Sequence, residues 1–241
     1  MVLILSFCAS DDIRVFNRTF QNFFLLIKSQ LISQDYFLRE ISSLIHVGAN
    51  DGSERFKYAR FGLFVVWVEP IDEVFNQLEA NLAEFKLQNA RKSLLLDTPG
   101  VAVDLHIASN NGASSSIFKF DKHEEIFPSV SMVHTQTCTS ETVDDLFDGL
   151  NLSSPVAIVI DTQGSELKVL IGARRTLQKI AFVKVEGADF SSYEGGCTND
   201  QIHQYLTGLD FILLRKKRIA HKKGVGSYYD SVYLNRNIKL S

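Results

Sequence analysis

The 241-residue sequence contains only three cysteines, Cys8, Cys138 and Cys197. So sparse and odd a set builds no disulfide framework and has no metal-ligand spacing, which favours a reducing, cytoplasmic setting and no bound metal. Charge of one sign is also lacking. Lys and Arg number 25 against 28 Asp and Glu, for a net charge of −3. A dedicated nucleic-acid binder is usually basic, so no nucleic-acid partner is expected. No apolar run reaches the roughly 20 residues that cross a bilayer. The apolar start, Met1 to Ser10, is short and has no basic flank. It reads as a strand or terminal segment in preference to a secretion signal, so the sequons at Asn17 and Asn151 are taken as chance matches. There is no internal repeat and no linker-like stretch.

What is present is apolar patterning. Hydrophobic residues make up 45% of the chain, and the length suits one α/β domain with an N-terminal extension over residues 1–42 and the main domain over 43–241. Ile13, Phe16, Phe20, Phe23, Ile27 and Leu31 recur in steps of three and four, which predicts a helix over residues 11–34. A core helix on the main domain is favoured. A lid, or a contact between two copies of the chain, is the alternative.

Leu44 to Val47 is a buried-strand run that enters the turn Gly48-Ala49-Asn50-Asp51-Gly52. Glycines there let a ligand approach the main chain, and the following helix start offers free N–H groups. A second run, Phe64 to Val68, ends on Glu69-Pro70. Glu69 lies about 20 residues past Gly48, the distance at which an acidic side chain meets ribose hydroxyls. A bare helix cap is the plainer role for it. The turn lacks the third glycine of the G-x-G-x-x-G fingerprint. That disfavours a nicotinamide oxidoreductase and suits a ligand without a pyrophosphate, such as S-adenosylmethionine.

Further along, Ile71, Val74, Phe75, Leu78, Leu82 and Phe85 mark a helix with Asp72 and Glu73 in its first turn. Strands are predicted at 93–96, 101–107 and 114–120, then a loop over 121–136, then a helix over 141–150 capped by Ser140. Val156 to Ile160 is a continuous apolar run ending on Asp161, as in a central parallel strand. Ala181 to Val185 ends on Glu186. Two last strands, 211–215 and 229–235, flank a basic turn from Arg215 to Lys223, either a solvated turn or a contact for an anionic glycan or phosphate. This alternation predicts a Rossmann-like seven-stranded sheet, mostly parallel, with helices on both faces and one antiparallel strand at its edge.

Several pieces, in order, resemble the FkbM family of S-adenosylmethionine-dependent methyltransferases. They are His46-Val47-Gly48-Ala49-Asn50-Asp51-Gly52, Glu69-Pro70, Thr142-Val143-Asp144-Asp145-Leu146, Ile160-Asp161-Thr162-Gln163-Gly164-Ser165-Glu166, and Glu186. The resemblance covers about residues 43–235. It implies a class I methyltransferase fold and methyl transfer to an oxygen of a sugar or other small molecule. His46 departs from the family's usual Asp, and a non-catalytic nucleoside-binding module on the same fold is the alternative.

The resemblance also implies site roles. The 46–52 turn, with Glu69 and Pro70, holds the cofactor. Asn50, Asp51 and Gly52 line its amino-acid portion, and Ala108 and Ser109 flank the adenine. Asp161, emerging from a strand end near the methyl group, orients or deprotonates the acceptor. Its plainer role is a helix cap. Glu186, Asp189 and His134 are further candidates to face the acceptor.

Overall fold

The computed structural model describes residues 34–148, 150 and 152–240. The Met1 to Ser10 segment, nearly all of the helix expected over 11–34 and its subunit contact therefore lie outside the described residues. In chain order the elements are β1 (Ser43–Val47), α1 (Arg55–Arg60), β2 (Phe64–Val68), α2 (Asp72–Leu82), β3 (Gln88–Arg91), β4 (Leu94–Leu95), β5 (Ala102–Ala108), α3 (His123–Ile126), β6 (Met132–Glu141), α4 (Val143–Leu146), β7 (Val156–Ile160), α5 (Glu166–Ile171), β8 (Ile180–Ala188), α6 (Asn199–Thr207), β9 (Phe211–Lys222) and β10 (Gly226–Asn235).

The main sheet runs β3-β2-β1-β7-β8-β10-β9. β1 pairs in parallel with β2 and β7, β2 with β3, and β7 with β8. β10 is antiparallel to both β8 and β9. The expected Rossmann-like, seven-stranded sheet with one antiparallel strand is thus observed. That strand is second from the edge, and β9 is the edge. Strand order reverses between β1 and β7, and a crevice opens at their carboxyl ends.

The central strands are apolar throughout because both sheet faces are covered. Ile45, Val47, Val66, Ile158, Ile160 and Val183 pack with Leu170 of α5 and Ile202 and Leu206 of α6. On the other face Leu44, Val65, Trp67, Val159 and Phe182 pack with Tyr58 of α1 and Leu78 and Leu82 of α2. Phe37 and Leu38, from the expected extension, are buried in this second layer. A smaller cluster joins Ile71 and Val74 to Leu94, Leu96, Leu105 and Ile107, and so holds α2 to a three-stranded sheet of order β4-β6-β5.

Four local expectations change. The stretch expected as a loop carries α3 and then β6, which pairs with β5. β6 is largely exposed, so it has no apolar pattern to read. The stretch expected as a strand at 114–120 makes only the isolated bridges His106–Ser116 and Phe120–Tyr193. The expected helix over 141–150 is α4, capped by Thr142, whose side chain accepts from the Asp145 N–H. The Ser140 hydroxyl instead donates to the Thr98 carbonyl at 2.7 Å. The basic stretch expected as a turn is largely strand, because β9 continues to Lys222. Lysines on an edge strand discourage pairing with another chain, and the Lys216 Nζ lies 4.2 Å from the centre of the Tyr229 ring. Among the described residues no helix is long and apolar enough to cross a membrane.

Candidate active site

The site begins where β1 stops. Gly48 and Ala49 both donate their N–H groups to the Val68 carbonyl at 3.0 Å, tying the turn to the end of β2. Gly48 has φ +78°, in the region that strains residues with a Cβ. Space is a second constraint, since a Cβ there would lie 1.8 Å from the Asp161 carbonyl oxygen. Asn50 is also left-handed, at φ +45°, which Asn tolerates better than most residues. Its side-chain oxygen accepts from the Asp51 N–H at 2.8 Å. Its own N–H donates to Glu69 Oε2 at 2.9 Å.

Glu69 is the hinge of this arrangement. Its Oε1 accepts from the Ile71 N–H at 3.0 Å, at the start of α2. The cap role and the cleft position therefore coincide in one carboxylate. Burial pushes its pKa up to about 7, against the two N–H contacts that favour the charged form. Each oxygen makes one of these contacts and keeps a further acceptor position.

Above Glu69 lies a cleft whose empty space, open mouth included, is about 700 Å³. Gly48, Asn50, Glu69 and Pro70 line its floor. Ile71, Leu94, Leu95, Leu105 and Ile117 give an apolar wall, and Asp161, Thr162 and Gln163 close the far end. These groups fit a nucleoside with an amino-acid arm. A flat ring can lie on the apolar wall, vicinal hydroxyls can reach the free positions of Glu69, and the bare Gly48 admits close approach.

At the far end the chain turns sharply after β7. The Glu166 carboxylate is buried and accepts from the N–H groups of Thr162 at 3.1 Å and Gly164 at 2.9 Å. It organises the turn as well as standing in the first turn of α5. This leaves Asp161 at the cleft, where Gln163 Nε2 donates to its Oδ1 at 2.6 Å. The same nitrogen is 3.5 Å from Glu186 Oε1, at the end of β8. Asp161 and Glu186 therefore form a linked pair. Burial, then the Glu166 charge, pushes the Asp161 pKa up to about 7. Burial, then Asp161, holds Glu186 well above the usual carboxylate range. An ion pair of Lys184 and Asp230, 3.2 Å apart, stands beside them.

The other sequence candidates lie elsewhere. His46 faces the core on the Leu44 side of β1, stacked on Trp67 at 4.8 Å, with Nδ1 3.2 Å from the Tyr58 hydroxyl. Burial lowers its pKa to about 4, so it is neutral at pH 7. Gly52 sits under α2, where a Cβ would meet Leu78. The Asp51 carbonyl accepts from the Asn81 amide at 2.8 Å. Ala108 is buried, its N–H given to Ser115 Oγ. Ser109 is exposed, and its hydroxyl accepts from the Ser131 N–H. His134 is exposed on β6, outside the cleft. Asp189 is exposed and accepts from the Ser227 N–H and the Tyr229 hydroxyl of β10. The apolar wall and Gln163 were not among the sequence candidates. The wall comes from four separate stretches, the start of α2, β4, β5 and the segment after β5, and no spacing rule joins them.

The model of the methyltransferase FkbM domain family matches residues 46–213. A curated relative, the 2-O-methyltransferase NoeI of Sinorhizobium fredii, is 26% identical over 160 residues. That match spans 63% of this chain and 65% of the relative, just under two thirds of its length. Among solved structures, M. capricolum TrmK in complex with S-adenosyl-homocysteine aligns over 80% of this chain and 62% of its own, with 7% identity and a TM-score of 0.47. The N-methyltransferase NodS of Bradyrhizobium japonicum aligns over 81% of this chain and 86% of its own, with 9% identity and a TM-score of 0.46.

Proposed function

The chain belongs to the FkbM methyltransferase family, and from that membership we propose that it methylates a hydroxyl oxygen of a sugar or other small molecule. The methyl donor is S-adenosylmethionine. Glu69 and the Gly48–Asn50 turn hold its ribose and amino-acid arm, and the wall of Ile71, Leu95 and Leu105 takes its adenine. The single observation carrying this proposal is the position of Asp161, whose main chain touches Gly48 while its carboxyl stands at the end of the same cleft, linked through Gln163 to Glu186.

When bound, S-adenosylmethionine supplies an electrophilic methyl group on a positive sulfur that leaves as a neutral thioether. The chain's task is to place the acceptor oxygen in line and to take its proton. Positioning accounts for much of the rate. Asp161, with a pKa of about 7, is matched to proton removal near neutral pH. A hydroxyl must lose a proton to form the ether, and a carboxylate at that point supports O-methylation. The 2-O-methyltransferase description of the NoeI relative supports a sugar acceptor. A binding module without catalysis is the weaker proposal. It leaned on His46, which lies in the core and takes nothing from the cleft. The sparse cysteines, with Cys138 and Cys197 free, support a reducing, cytoplasmic setting.

The test is transfer of labelled methyl from S-adenosylmethionine to a panel of glycans and small hydroxylated compounds. Label in a base-stable ether is the expected result. Label confined to amines would contradict O-methylation.

A further inference from the structure

Gln163 has a conformation and a set of contacts that its neighbours do not require of a plain turn residue. Its backbone is left-handed, at φ +53°, uncommon for a residue other than glycine. Its carbonyl accepts from the Ser116 hydroxyl at 2.6 Å, which joins the turn to the segment after β5. Its side-chain oxygen accepts from the Tyr193 hydroxyl at 2.7 Å. The Tyr193 ring lies flat against Gly164, where a Cβ would come within 3.1 Å of it. Tyr193 is itself nearly inaccessible, with His123 and Phe120 against its ring.

These contacts fix which way the amide points. A tyrosine hydroxyl has one hydrogen, and the nearer acceptor is Gln163 Oε1. The reversed amide would put an oxygen 2.6 Å from the Asp161 carboxyl, which repels unless that carboxyl is protonated. With Oε1 on Tyr193, both hydrogens of Nε2 face carboxyls. One meets Asp161 Oδ1 at 2.6 Å, and the other points to Glu186 Oε1 at 3.5 Å. The contact with Asp161 is much the stronger, and a donor to a carboxylate favours its charged form.

We propose that Gln163 is a positioning residue: its amide, held by Tyr193 on a backbone that Ser116 ties down, puts the negative charge of the carboxyl pair on Asp161 and leaves the proton on Glu186. This rests on the proposed methyl transfer. In that transfer the acceptor oxygen forms the new bond to the methyl carbon and the carbon–sulfur bond breaks. Its electron pair stays on sulfur, and the acceptor's proton passes to Asp161. Glu186 stands behind Gln163, outside the cleft's lining, and by keeping its proton adds no second negative charge to the pair. The groups around the pair agree with this assignment. Asp230 from β10 and Glu166 from α5 raise the proton affinity of both carboxyls. Lys184 from β8 favours the charge on Asp161.

The test is carbon-13 NMR titration of the carboxyl groups in the full chain, with signals assigned from Asp161→Asn and Glu186→Gln. Gln163→Met keeps the side-chain length and removes both N–H donors. The Asp161 midpoint should rise by about one pH unit. Tyr193→Phe frees the amide and should move the same midpoint in the same direction by less, and it decides the matter if Gln163→Met does not fold. An unmoved Asp161 midpoint in the folded variants overturns the proposal, because a merely structural Gln163 would leave it in place. Failure of wild-type chain to bind S-adenosylhomocysteine would instead overturn the proposed function, while the titration still reads the role of Gln163.

Discussion

A Cβ on Gly48 would lie 1.8 Å from the carbonyl oxygen of Asp161. The two strand ends that build the site therefore meet main chain to main chain. Asp161 donates its N–H to the Val47 carbonyl at 3.0 Å in the same contact. The cofactor turn and the acceptor carboxyl are set by one junction between β1 and β7.

Gly48→Ala should accordingly unfold or severely destabilise the chain, by more than about 3 kcal/mol. Gly62 is the control, since it has φ +65° but no atom within 4 Å of the place a Cβ would take. Gly62→Ala should cost only about 1 kcal/mol, the strain of the conformation alone. Urea denaturation of the two variants measures the difference. Equal losses would show that the Gly48–Asp161 contact relaxes easily.

His46→Asp restores the residue usual in the family at that place. In this chain it replaces a neutral ring stacked on Trp67 and in contact with Tyr58 by a carboxyl. Stability should fall by about 2 kcal/mol or more, as for a poorly paired buried polar group. S-adenosylhomocysteine affinity of the folded protein should stay within about threefold. A large gain or loss of affinity at unchanged stability would return His46 to the cofactor site.

The sheet was largely legible because its central strands are apolar on both faces, and Gly48, Glu69 and Asp161 were legible because each follows such a strand. The direction of His46 was harder. Strand residues alternate sides, and a family motif does not say which side is the cleft. β6 was illegible for a related reason. Thr135, Thr137 and Thr139 lie along a strand that is largely exposed, as is His134, so no buried face stamps a period on the stretch. Tyr193 and Gln163 are 30 residues apart, and nothing local announces that a hydroxyl and an amide will meet.

Stability should fall as pH rises from 6.5 to 8. An acid whose pKa is higher folded than unfolded holds an extra proton in the folded state between the two values. Its stabilising contribution is present below the unfolded value and is lost as pH rises through the folded one. Glu69 and Asp161 both rise to about 7. His46 and His123 are lowered to about 4 and act the other way, but only between about 4 and 6.5. Above that interval the carboxyls act without opposition from the histidines. Glu69→Gln should flatten the fall, as read by denaturation midpoints across the interval. A wild-type curve that is flat or rising there would contradict the assigned shifts.

Asp161→Asn keeps the shape of the side chain and removes its basicity. Methyl transfer should drop by about 10²- to 10⁴-fold, the usual range for a lost acid–base group, with S-adenosylhomocysteine affinity nearly intact. Asn caps helices about as well as Asp, so a capping role would leave the rate unchanged. Steady-state assay with the acceptor found in the label screen separates the two outcomes.

The most direct measurement is calorimetric titration of S-adenosylhomocysteine into the wild-type chain and into Glu69→Gln. The wild type should bind one molecule per chain, more tightly at pH 8 than at pH 6, because the ionised Glu69 accepts ribose hydroxyls better than the protonated form. NAD should give no heat. Glu69→Gln should bind about tenfold or more weakly, as for a lost hydrogen bond to a charged group, and should lose most of the pH dependence. No binding by the wild type, or equal affinity in the two proteins, would contradict a cofactor site built on Glu69.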